Sequence, residues 1–220
     1  MDREYKTVLK TTVCEIEEKK SRFIASVRPV STEEEAQEFI SKVKSKHQDA
    51  SHNVYCYFIN QNTIIQRFSD DGEPTGTAAL PILEVIKKTG VRDLVVVVTR
   101  YFGGTLLGAS GLIRAYGKSA SLGIDTACVI TKKLCLEVNI VIEYDLFGKV
   151  QNMLISKNYI IKDVIYGQDV EIIVFIQHTE LQSFIELVNE ITNARALVES
   201  GKDSYITLNS QGKILLKEEN

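Results

Sequence analysis

Two short segments hold most of the residues able to do chemistry. "SDDGEPTGTA" (69–78) carries Asp70, Asp71 and Glu73 close together, with Thr75 just beyond Pro74. "TRYFGGTLLGASGLIRAYGK" (99–118) runs Arg100 into two aromatics and the pair Gly103 and Gly104, then Ser110, Arg114 and Lys118. The second segment has the makings of an anion site. Glycines between a strand and a helix leave backbone N–H groups free at the helix N-terminus, where phosphate or carboxylate can sit. Arg100 adds a fork-shaped cation, Ser110 a hydroxyl, and Arg114 with Lys118 share a helical face at i, i+4. A structural reading stands beside this one. The glycines can serve close helix–strand packing, and Arg100 can pair with Asp70, Asp71 or Glu73. The pattern is neither a Walker A nor a dinucleotide loop.

The acidic segment invites a metal or general-base reading, because adjacent carboxylates hold hard cations. "DDGEP" is equally turn chemistry, with Asp accepting from local N–H groups and Gly supplying φ > 0. The structural role is preferred, so no metal and no cofactor are expected. His52 could act as a general base, but a hydrogen-bonded structural role is preferred. No Ser-His-Asp or Cys-His arrangement can be assembled.

The elements around these segments follow from periodicity. Residues 4–16 and 20–30 read as strands. Ser31 and Glu34 form a capping box for a helix running to about residue 46. Residues 52–59 and 63–68 form an antiparallel pair across the turn "NQN" (60–62). Residues 79–90 are helical, with Gly90 a C-cap. "DLVVVVT" (93–99) is apolar throughout, as a strand buried on both faces must be. A helix starting near Thr105 follows, lasting to about residue 126. A new pattern begins near Lys132: strand 134–142, helix 145–158, a hairpin of 159–166 and 170–176, helix 180–192 and strand 195–200. That β-α-β-β-α-β order is ferredoxin-like. "SYITL" (204–208) is a candidate edge strand and "KEEN" (217–220) a frayed tail. The fold class is thus α+β in two domains, 1–130 and 131–220.

Composition narrows the function classes. The net charge is -3, from 26 Lys+Arg and 29 Asp+Glu. Residues 1–130 hold 17 of these cations and 16 of the acids, a balance of +1; residues 131–220 hold 9 and 13, a balance of -4. A general DNA binder would be basic, so nucleic-acid contact here needs a local patch. No apolar run reaches a membrane span, the N-terminus lacks a secretory pattern, and four unpaired-looking cysteines suit a cytoplasmic location.

"SDDGEPTGTAALPIL" followed by "VVVVTRYFGGTLLGASGLIRAYG" resembles the IMPACT family and its bacterial YigZ-type members; "KKSRFIASV" and "DASHNVYCY" are similar to upstream segments of that family. Three positions depart from its usual pattern: Val54 after His52-Asn53, Ala79 after Gly76-Thr77-Ala78, and Ser110 between Ala109 and Gly111. The resemblance implies a first domain like domain IV of elongation factor G, a ribosomal-protein-like βαβ fold with helices on one face of a sheet. It implies a ferredoxin-like second domain. It also implies a non-enzymatic role in translation, with RNA, the ribosome or a translation factor as partner. Two alternatives stay open: a Mg-dependent enzyme acting on a phosphorylated or nucleotide substrate, and a protein–protein interaction module. The sequence leaves the oligomeric state open.

Overall fold

The computed structural model describes residues 3–60 and 63–215 of the 220, so Gln61 and Asn62 of the expected turn and the 217–220 tail lie outside the described residues. The chain divides into two compact units. The first takes residues up to Lys132 together with Leu208–Leu215, and the second begins at Lys133 and runs to Thr207.

The first unit is built on β2 (Thr12–Glu18), β3 (Ser21–Pro29), β4 (His52–Asn60), β5 (Ile64–Ser69) and β6 (Leu94–Tyr101). Their order is β2-β3-β6-β4-β5, with every neighbouring pair antiparallel. The most apolar strand, β6, is central. Leu94, Val96 and Val98 face one side and Val95 and Val97 the other. Alternation on a strand sends successive side chains to opposite faces, so an all-apolar strand needs cover on both.

That requirement corrects one expectation. Helices α2 (Ala79–Thr89) and α3 (Ala109–Thr126) pack on the Leu94/Val96/Val98 face, while α1 (Glu33–Lys46) packs on the other through Ala36, Phe39, Ile40 and Val43. The helices therefore cover both faces. Each face buries a separate cluster, and at about 25 cal/mol per Å² of apolar surface this burial is the main stabilising term.

Three local boundaries also differ. The single strand expected over 4–16 is two, β1 (Glu4–Val8) and β2, because Leu9 N–H turns away to the carbonyls of Ala127 and Cys128 at 3.1 and 2.9 Å. Thr32, not Ser31, caps α1: its hydroxyl accepts from Glu35 N–H at 3.2 Å, and the Glu35 carboxylate accepts from Ser31 N–H at 2.6 Å. Helix α3 starts at Ala109 rather than Thr105, since Gly104 and Gly108 take φ of 81° and 72°. Gly90 caps α2 as expected, with φ of 70°.

The second unit carries the body of β7 (Val129–Ile142), α4 (Tyr144–Ser156), β8 (Ile160–Tyr166), β9 (Val170–Ile176), α5 (Leu181–Thr192) and β10 (Leu197–Leu208). Strands β8, β9 and β7 are neighbours in that order, and β10 pairs with β7. This is the ferredoxin-like arrangement, with α4 and α5 on the Val138/Ile140/Ile172/Val174 face. The segments 195–200 and 204–208 form one continuous strand, β10, rather than two.

Candidate functional site

The two chemical segments meet inside the first unit. Arg100, near the end of β6, is 5% exposed, and Glu73 is 7% exposed. Arg100 Nη1 donates to Glu73 Oε1 at 2.7 Å, and Tyr116 on α3 donates its hydroxyl to the same oxygen at 2.8 Å. The guanidinium carbon also stands 5.5 Å from the Phe23 ring centroid and 5.6 Å from that of Phe102. Burial, then the neighbouring Glu73 charge, pushes the Tyr116 phenol well above its usual range. Arg100 thus answers the question its sequence position raises. It sits in a desolvated pair, where guanidinium geometry suits a carboxylate better than a lysine would.

The rest of the acidic loop is spent on backbone. Asp70 accepts from Gly76, Ala78 and Ala79 N–H at 2.9, 3.3 and 2.8 Å. Those are donors at the start of α2, whose own N-cap, Ala78, has no side chain able to do this. Asp71 has φ of 47°, and its two oxygens take Lys44 Nζ at 2.7 Å and Asn53 N–H at 2.6 Å. Asn53 passes the network on, accepting from Thr99 at 2.7 Å. Thr75 is exposed and makes no hydrogen bond among the described residues.

His52 closes the ring. Its Nδ1 lies 2.9 Å from the Asp71 carbonyl oxygen, which can only accept, so Nδ1 carries the proton. Nε2 is left 3.9 Å from Glu73 Oε2. Among the described residues, that oxygen is the one carboxylate position of Asp70, Asp71 and Glu73 with no hydrogen-bond donor. Among the described residues no group of three His, Cys, Asp or Glu is placed to hold a metal ion.

The six residues expected to form an anion site are not brought together. Arg100 is inside, engaged by Glu73. Lys118 is ion-paired with Glu18 at 2.8 Å. Gly103 N–H donates to Ser21 Oγ at 3.2 Å, and a Cβ on Gly103 would fall 2.0 Å from the Lys20 carbonyl. This glycine lets the turn between β2 and β3 approach. Gly104, Ser110 and Arg114 stay exposed, and the Ser110 and Arg114 side chains make no hydrogen bond or ion pair among the described residues. The sequence pattern assigned no site role to Tyr116, Ser21 or Lys44. For Tyr116 a signal existed: a core-facing phenol needs a partner for its hydroxyl.

Comparison with known proteins places this architecture. The Impact N-terminal domain matches residues 19–124, which contain both motif segments, and a domain of unknown function, DUF1949, matches residues 140–195. The chain is 44% identical over 202 residues to IMPACT family member YvyE of Bacillus subtilis, covering 92% of this chain and 93% of that one. It is 35% identical over 150 residues to IMPACT family member YigZ of Escherichia coli, covering 64% and 74%. Protein IMPACT of Oryctolagus cuniculus is 36% identical over 99 residues, covering 42% and 30%. A crystal structure described as a hypothetical protein aligns with a TM-score of 0.58 at 26% identity, over 92% of this chain and 99% of that one. The buried Arg100–Glu73–Tyr116 knot lies within the matched N-terminal domain, and by that domain and the full-length likeness to YvyE the chain belongs to the IMPACT family.

Proposed function

We propose that this protein is a non-enzymatic, translation-associated binding protein whose first unit engages RNA, the ribosome or a translation factor. The family resemblance supplies the translation setting. The observation that carries the binding reading is the fate of the motif charges. Arg100, Asp70 and Asp71 are engaged by internal partners, and on this reading the two motifs shape a surface and do not present a reaction centre. The outward part of that surface is the β6–α3 loop and the first turns of α3, where Arg114 is exposed. No helix among the described residues is long and apolar enough to cross a membrane, and a cytoplasmic location fits a translation partner.

The test is a pull-down from lysate with the full chain at low and moderate salt. Enrichment of RNA, ribosomes or a translation factor at about 50 mM salt, falling at about 200 mM, is expected where ion pairs carry part of the affinity. Arg114→Glu should lose that enrichment while leaving the thermal transition in place. No enrichment at low salt overturns the reading.

A further inference from the structure

The exposed end of the first unit combines two features rarely left unpartnered on the same surface. One is apolar: Leu106 is 81% exposed, Phe102 49% and Ile113 43%. They lie on the loop between β6 and α3 and on the first turns of α3. The loop is held in place at Gly103 by the Lys20 backbone and at Leu107, whose side chain packs under Gly111. The other feature is cationic. Lys19, Lys20 and Arg114 are exposed and make no ion pair among the described residues. The first turn of α3 holds no acid.

The lysines stand out for a second reason. Lys19 and Lys20 form the two-residue turn joining β2 to β3, and both have left-handed φ, of 48° and 67°. Such a hairpin turn favours Asn-Gly, because each ordinary residue there costs about 1–2 kcal/mol. The fold alone gives no reason for two lysines at this tip.

We infer that this end of the first unit is a docking surface for an acidic protein segment that carries an aliphatic or aromatic anchor. The inference rests on the binding reading above and names the partner chemistry. Charge complementarity selects the acid: the exposed Lys19–Lys20 turn stands beside Gly103, and exposed Arg114, whose charge is felt at Glu18, follows Ile113 on α3. The type of anchor selects protein over RNA. Leu106 and Ile113 fill an apolar pocket or groove but offer no face on which bases stack, and Arg100 already lies against Phe102. A chain of net charge -3 also has little to offer a phosphate backbone beyond this patch.

Fluorescence anisotropy with the full chain tests this. Three labelled probes are used: a peptide of glutamates interspersed with leucines, the same peptide with serines for the leucines, and an oligouridylate of equal charge. The leucine peptide should bind about tenfold tighter than either other probe. Leu106→Ser and Arg114→Glu should each weaken it about tenfold, the size of a modest hot spot. Both side chains are exposed, and an unchanged circular dichroism melt shows that the fold is intact. Tighter binding of the oligouridylate, binding insensitive to Leu106→Ser, or no binding of any probe overturns the inference. If the lysate pull-down still succeeds in those cases, the broader reading stands and only the partner chemistry fails. If the pull-down is also empty, both fall.

Discussion

Glu73→Gln is the sharpest probe of how the motifs hold the first unit together. The substitution keeps an oxygen for the Tyr116 hydroxyl and removes only the charge that faces Arg100. Arg100 then has only neutral side-chain partners, that amide oxygen and Ser21 Oγ at 3.5 Å, inside a site 5% exposed. Stranding a buried guanidinium costs about 3–5 kcal/mol. Glu73→Ala adds the loss of the Tyr116 acceptor, about 1 kcal/mol more. For a protein of this size each kcal/mol moves the midpoint about 2–4 °C, so Glu73→Gln should lower it by about 6–20 °C. Pairing it with Arg100→Met should recover most of that loss, because two neutral groups strand no charge. Urea titration by far-ultraviolet circular dichroism reads all three variants. A Glu73→Gln protein within about 0.5 kcal/mol of the parent would refute the account of a desolvated pair, that being the usual effect of a surface substitution. So would a double variant no more stable than the single one.

Three further outcomes follow from neighbouring residues. Gly103→Ala should unfold or severely weaken the first unit, since its Cβ would meet the Lys20 carbonyl at 2.0 Å, whereas Gly104→Ala meets nothing within 4 Å and should cost only about 1–2 kcal/mol for its φ; thermal melts separate the two. Asp70→Ala should cost about 2–3 kcal/mol and raise amide exchange at Ala78 and Ala79, because it removes the acceptor for the start of α2; unchanged exchange there would contradict the remote cap. Burial, then the Glu33 hydrogen bond, push the Tyr57 phenol up to about 12, and Tyr116 is raised too. In the unfolded chain both ionise near pH 10, so the native state holds more protons above that pH and stability should fall from about pH 10 toward pH 12. Tyr116→Phe should flatten part of that slope, and equal slopes would count against it.

What the sequence revealed and what it hid have physical causes. The "VVVV" run declared a strand buried on both faces because no polar residue interrupts either parity. The glycine at 90 declared a helix end because few residues accept that φ. The start of α3 was hidden because Leu106 and Leu107 both fit a helical stripe, yet only Leu107 packs inward. The break after β1 was hidden because it depends on Leu9 finding carbonyls more than a hundred residues away. At the site, three acids were available to Arg100. The choice of Glu73 is made by tertiary placement, with Tyr116 arriving from α3 on the same oxygen. The side of the sheet taken by α1 was likewise invisible, since it depends on the parity with which β4 and β6 align.

The central position of β6 has a consequence for how the chain is made. Hairpins β2–β3 and β4–β5 are each local and can form as soon as they are synthesised, but neither borders the other. Their shared neighbour is β6, which arrives last of the five and must insert between them, pairing antiparallel to both. Until then the nascent sheet has two unfinished edges, and the strand that will close them is the most apolar of the five. Pairings this distant along the chain are slow to form. A β-prone apolar run waiting in the open is where aggregation begins. The first unit therefore has a vulnerable interval during synthesis, and variants in Leu94–Val98 should show it as lower soluble yield before they show it as lower stability.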